Sequence, residues 1–378
     1  MRERGSLKWT RWPGTIGAWV AEMDLGIAPE VAEAIKQAVD VGELGYMPDG
    51  LLVECERALA AYSRRNYGWD LDPDKIFVVH DVIMALRRIL TDFCDKSKPV
   101  IVPTPAYMTF LKTIPACGFQ AVQVPSIYAE STWQLDFEGI EAAMSRGASL
   151  FILCNPWNPV GRALTAAELD AVATLSSTYG VPVFADEIHA PLVLDAERTH
   201  IPYASRPGSD PDLTFTATAA SKGWNIPGLK CAQLIASGRA RARWEADAPS
   251  AHLRAEASVV GALATIAALR DGQDWLSEVR TYIRANRDAL GEALAGAEGI
   301  EPTLPEATYL AWLDCRGLDL EQPARYFRKE AGVAMNEGTT YGRAWSGFCR
   351  LNLATGRNIE EETVHRITEA VRRRQGVS

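Results

Sequence analysis

Hydrophobic and polar positions along the chain alternate between two periods, and the alternation predicts a layered α/β protein. Residues 29–41 read as a helix that opens on Pro29 and stops at Gly42, the asymmetry expected of helix ends, and a second helix covers 51–67. Residues 75–80 read as a short strand. The stretch 81–95 then places Val82, Ile83, Leu86, Ile89, Leu90 and Phe93 on one helical face. Apolar runs near 100–103, 120–124, 150–154, 181–185, 213–218 and 232–236 are strand-like and separated by helical spacers, one of which opens at Thr165, so the sheet they form is mainly parallel. Beyond Arg239 the pattern changes to long helices over 257–269 and 276–295, with short strands at 309–313 and 348–353, as in a smaller α+β lobe. The division expected is a large α/β domain over 40–255 and a smaller one built from 1–39 and 256–378.

Composition narrows the classes without choosing a function. A chain of 378 residues with 47% hydrophobic and 23% charged residues has ordinary globular proportions. Its net charge of -9 has no basic stripe, which argues against nucleic acid and anionic membrane as partners. The N-terminus shows no apolar signal core, and no apolar run reaches the roughly 18 residues expected of a membrane span. The seven cysteines are odd in number and dispersed, as expected of reduced thiols in a cytoplasmic protein. The five histidines (His80, His189, His200, His252 and His365) form no ligand spacing with them, so no metal is expected.

Chemistry is concentrated at strand ends. The run from Phe215 to Lys230 is rich in small and β-forming residues and delivers Lys222 into a turn beside Ser221, with Lys230 eight residues on. A desolvated amine near a second cation has a lowered pKa and is a nucleophile toward an aldehyde, for which pyridoxal phosphate is the biological choice. Upstream, Asn155-Pro-Trp-Asn158-Pro-Val-Gly161 follows one strand and Asp186-Glu-Ile-His189 ends another. Prolines on either side fix Asn158, whose amide suits a phenolic oxygen. A carboxylate such as Asp186 keeps a pyridine nitrogen protonated and its ring an electron sink. Each residue also has an ordinary reading, as a turn former, a cap or a solvated side chain; together, at the carboxyl ends of successive strands, they mark where ligands of open α/β sheets bind. Arg350, inside an apolar run, requires an anion, either a substrate carboxylate or an internal acid. The helix after residue 80 offers the N–H groups of Val82 and Ile83 to a phosphate. Asp81 would repel that phosphate unless it caps the helix with its side chain turned away.

These motifs, with Trp19-Val-Ala-Glu-Met-Asp24, Gly45-Tyr46, Pro103-Thr-Pro-Ala-Tyr107, Gly332-Val-Ala-Met-Asn336-Glu-Gly338 and Cys349-Arg350-Leu-Asn-Leu-Ala354, resemble the fold-type I pyridoxal-phosphate enzymes over nearly the whole chain. The Trp19 segment and the Asp-Glu-Ile-His run resemble their cystathionine β-lyase group, the aminotransferase-like carbon–sulfur lyases. The resemblance implies pyridoxal 5'-phosphate held by Lys222 as a Schiff base, Asp186 on the ring nitrogen, and Asn158 and His189 at the phenolic oxygen. It also implies Tyr107 on the ring face, a phosphate site of Val82, Ile83, Ser221 and Lys230 completed by Tyr46 of a second subunit in a homodimer, and Arg350 on the carboxylate of an amino acid substrate. Lys230 stands where relatives carry arginine, a point charge in place of a two-pronged grip. The implied reaction is β-elimination from cystathionine or another cysteine S-conjugate. An aminotransferase, or a non-catalytic cofactor-binding regulator, has the same parts.

Overall fold

The computed structural model describes residues 5–129, 132–246 and 256–375; His252 and the expected domain boundary at 255 lie outside the described residues. Seven strands form the main sheet: β1 (Ile76–Val79), β2 (Val100–Thr104), β3 (Ala121–Pro125), β4 (Leu150–Cys154), β5 (Val183–Asp186), β6 (Thr214–Thr218) and β7 (Ala232–Ala236). Their spatial order is β1-β7-β6-β5-β4-β2-β3, with only β7 antiparallel to its neighbours. The mainly parallel sheet expected from the pattern is therefore present. Its direction of winding reverses between β2 and β4, and a crevice opens at such a point, outside the carboxyl ends of the strands.

Strand geometry sends successive side chains to opposite faces, and the sheet has an apolar layer on each. Val100 and Val102 join Leu86, Ile89 and Phe110 in one core, whereas Ile101, between them in sequence, joins Phe151, Leu153 and Val172 in the other. Both faces are covered, which is why these strands read as unbroken apolar runs.

Helix ends follow local chemistry. Pro29–Asp40 has proline in its first turn. Asp49–Tyr67, two residues longer than expected, stops at Gly68, whose φ of 64° suits glycine. Thr165 caps Ala166–Tyr179 in a reciprocal arrangement with Glu168. Asp81 caps Val82–Phe93 by accepting the Met84 N–H at 2.8 Å.

A second, antiparallel sheet orders Glu301–Thr303, Leu310–Asp314, Phe348–Asn352 and Asn336–Glu337. The helices Gln273–Leu294 and Arg357–Gln375 pack on it around Leu290, Phe327 and Ile367. Ile16–Gly17 pairs in parallel with Val333–Ala334, tying the early chain to this lobe. Helix Val259–Arg270 instead shares an apolar core with Asp49–Tyr67, so one cluster runs between segments assigned by sequence to different domains. A hairpin of Ile127–Ala129 and Thr132–Gln134 was too short for its periodicity to register. All seven cysteines are unpaired, and among the described residues no helix is long and apolar enough to cross a membrane.

Candidate active site

Loops leaving β2, β4, β5 and β6 meet the second sheet and the segment 19–21 around a cavity of about 210 Å³. Tyr107, Asn158, Asp186, His189, Lys222 and Arg350, distant from one another in sequence, all line it. Trp19, Met108, Thr109, Ile188 and Asn336 complete much of the wall.

Asp186 is the last residue of β5 and is 4% exposed. One of its carboxylate oxygens accepts the Ile188 N–H at 3.1 Å. Burial raises its pKa to about 7; the Ile188 bond opposes that shift, Glu187 adds to it and Lys222 opposes it. Lys222 follows β6 in the short turn Ala220–Gly223 and donates from Nζ to the Ala21 carbonyl at 2.8 Å. Its pKa falls from 10.5 to about 8, first through burial and then through the Arg350 charge, against the pull of Glu22 and Asp186. An amine shifted this far is about one-tenth neutral near pH 7, against less than about a thousandth at its ordinary pKa. His189 is driven well below its usual pKa by burial and by the Lys222 and Arg350 charges, so its ring is neutral, and its Nδ1 has no hydrogen-bond partner.

Arg350 lies in the strand Phe348–Asn352, 3% exposed. Nη1 donates to Asn158 Oδ1 at 3.0 Å, and Nη2 donates to the Trp19 carbonyl at 2.8 Å and to Asn336 Oδ1 at 3.1 Å. Among the described residues every acceptor of this guanidinium is uncharged, and its Nε is buried without a partner. An internal ion pair, one of the two readings open from sequence, is thus not made; an anion is still called for.

Other expected residues stand apart from this cavity wall. Val82 and Ile83 open their helix, where N–H groups have no acceptor within the helix. Lys230, in a left-handed conformation with φ 52°, donates to Asp81 Oδ2 at 3.1 Å. Against burial, the Met84 N–H and Lys230 hold the Asp81 carboxyl below its usual pKa. Asp81 therefore caps the helix with one oxygen and pairs with Lys230 through the other. Ser221 occupies the turn of Lys222, and Tyr46 is 100% exposed, away from the cavity of its own chain. Sequence reasoning missed a role for Asn336 and for the carbonyls of Trp19 and Ala21. Asn336 lies in the run Gly332–Gly338, but only strand pairing across to Arg350 reveals its use. Main-chain carbonyls leave no mark in composition.

The donor set fits pyridoxal phosphate. A buried acid, an amine of lowered pKa, a neutral imidazole with an unpartnered nitrogen and a guanidinium lacking a counter-ion fit its ring nitrogen, aldehyde, phenolic oxygen and amino acid partner. Among the described residues, no cluster of three metal-ligating side chains occurs.

The model of the aminotransferase class I and II family matches residues 20–371, and the chain belongs to that family. It is similar to cystathionine β-lyase of Corynebacterium glutamicum, 33% identical over 98% of each protein. Among solved structures it resembles a putative PLP-dependent β-cystathionase of Corynebacterium diphtheriae, with a TM-score of 0.90, 36% identity, and coverage of 98% of this chain and 96% of that one. The PLP-bound C–S lyase of Staphylococcus hominis gives 0.91 at 26% identity, covering 98% and 97%.

Proposed function

We propose that this protein is a pyridoxal-phosphate-dependent carbon–sulfur β-lyase that converts cystathionine, or a related cysteine S-conjugate, and water into a thiol, pyruvate and ammonia. The observation that carries the reading is the convergence of Lys222, Asp186 and Arg350 on one cavity in a chain similar over its length to a cystathionine β-lyase. The reading assigns Lys222 to the cofactor aldehyde and Asp186 to the ring nitrogen. Asn158 already accepts from Arg350 through Oδ1, so its amide nitrogen is the group left to donate to the phenolic oxygen, beside His189. Tyr107 covers the ring face. Val82 and Ile83 N–H, Ser221 and Lys230 surround the phosphate, Lys230 releasing Asp81 to reach it.

Bound there, the cofactor supplies the electron sink that makes a Cα proton removable. Arg350 takes the substrate carboxylate and fixes the direction in which Cα presents its bonds. The freed Lys222 amine, poised by its lowered pKa, removes the Cα proton. As that electron pair moves into the Cα–Cβ bond, the Cβ–S bond breaks and the thiolate leaves to be protonated. Water then replaces nitrogen on the three-carbon remainder, giving pyruvate and ammonia.

The reading places the enzyme in the cytoplasm and makes it a homodimer in which Tyr46 serves the phosphate of the other copy. Full exposure of Tyr46, with Val39, Val41 and Leu44 also exposed nearby, supports that assembly. The division into 40–255 and 1–39 with 256–378 is functional: the first part carries the cofactor residues, the second Arg350, Asn336 and Trp19. An aminotransferase is the competing reading. Incubating the holoenzyme with cystathionine and a thiol reagent decides between them; pyruvate with free thiol is expected in the absence of any keto acid, and turnover only when a keto acid is added rejects the lyase.

A further inference from the structure

Both active-site cations rest on one strap of main chain. Trp19 O accepts from Arg350, and Ala21 O accepts from Lys222 and, at 3.0 Å, from the Tyr309 hydroxyl. Carbonyls can hold side chains in place only if the strap itself is fixed. Asn352 does part of this, donating to the Val20 and Glu22 carbonyls at 2.6 and 2.7 Å. The rest comes from beneath. Lys8 is 2% exposed and its Nζ donates to Asp24 Oδ2 at 2.7 Å, with the Ala354 and Glu22 carbonyls at 3.3 and 3.4 Å. Asp24 also accepts the Trp9 indole N–H at 2.9 Å and the Thr355 hydroxyl at 2.8 Å. The Lys8 carbonyl accepts the Trp19 indole N–H at 3.2 Å, and a Cβ on Gly17 would lie 2.1 Å from that same oxygen, so the two segments touch backbone to backbone. A buried lysine that spans both ends of a six-residue strap is an anchor, and removing one partner of a buried ion pair is strongly disruptive because the other charge is left uncompensated.

We propose that Lys8 is a positioning residue for substrate recognition: through its buried pair with Asp24 it anchors residues 19–24, and so sets the place of the Trp19 carbonyl that orients Arg350. This rests on the reading of Arg350 as the clamp for the α-carboxylate. Ala21 keeps the Tyr309 hydroxyl and lies between the two carbonyls held by Asn352, and any loosening there bears on every amine alike, whereas displacement of the Trp19 carbonyl from Arg350 falls on ligands that carry a carboxylate.

The holoenzyme is titrated with L-alanine and with ethylamine, binding being followed through the visible spectrum of the cofactor. Lys8→Met is expected to weaken L-alanine tenfold or more and ethylamine less than twofold. Equal weakening of both, or no change in either, overturns the proposal. If Lys8→Met does not fold, Asp24→Asn decides: its remaining oxygen still accepts the Trp9 indole N–H, its amide nitrogen can donate to the Thr355 hydroxyl, and the ion pair is removed; it is expected to lower the ratio of L-alanine to ethylamine affinity at least threefold, an unchanged ratio overturning the proposal. Arg350→Met is the reference. If it too leaves the ratio unchanged, the clamp reading fails and takes this proposal with it; if it collapses the ratio while Lys8→Met and Asp24→Asn do not, only the role of Lys8 is rejected.

Discussion

Replacing Lys222 with methionine should make the cofactor-free protein more stable at neutral pH. The folded protein lowers the Lys222 pKa from 10.5 to about 8, mainly by burial. That shift of about 2.5 units corresponds to about 3 kcal/mol against the native state, fully present below pH 8 where both states hold the proton. As pH rises from 8 to 10.5 the native state releases its proton first and the penalty disappears. Methionine carries no charge and nearly the same length. It forfeits the hydrogen bond to Ala21 O, worth about 1.5 kcal/mol, the low end for a charged donor because that carbonyl keeps the Tyr309 hydroxyl. Lys222 also lines the cavity, where water screens part of its charge. A net gain of about 1 to 2 kcal/mol at pH 7 is expected, shrinking toward zero or below by about pH 10.5. Urea unfolding of both apoproteins at pH 7, 8.5 and 10.5 measures it; the cofactor must be absent because it stabilises only the form that binds it. A variant less stable than the parent at pH 7, or an advantage that grows with pH, refutes the claim that burial has disfavoured this ammonium.

Asp186→Asn, which on the proposed reading exchanges a charged partner of the ring nitrogen for a neutral one, should loosen cofactor binding by about ten- to a hundredfold, the scale of one charged hydrogen bond; equilibrium dialysis with absorbance detection checks it. Asn336→Ala removes one acceptor of Arg350 and should raise the KM for amino acid substrates about tenfold with kcat within about threefold, measured as pyruvate release. Glu360 is a third case: 3% exposed, with neither carboxylate oxygen hydrogen-bonded, its pKa is raised by burial from 4.5 to about 7. A raised acid adds stability below pH 4.5 that is lost as pH climbs through 7, so Glu360→Gln should gain about 1 to 3 kcal/mol at pH 8 and little at pH 4.5 in urea unfolding.

The fold was legible where side-chain period and burial agreed. The strands of the main sheet are short apolar runs because helices cover both faces, and their order in sequence placed Asn158, Asp186 and Lys222 at carboxyl ends. Asp81 showed the limit. Sequence left open whether its carboxylate repels a phosphate or caps the helix, and only the folded chain decides: one oxygen accepts the Met84 N–H and the other pairs with Lys230.

From the sequence alone came the residue types that do the chemistry and their places at strand ends, since periodicity and proline act locally. Tertiary structure alone decided the electrostatics and the company those residues keep. Arg350 meets Asn158, 192 positions away, and the Trp19 carbonyl, 331 positions away; Lys222 owes its lowered pKa to burial beside that guanidinium. Desolvation and long-range hydrogen bonds arise only when distant segments close a common cavity, and no local pattern encodes the distance between them.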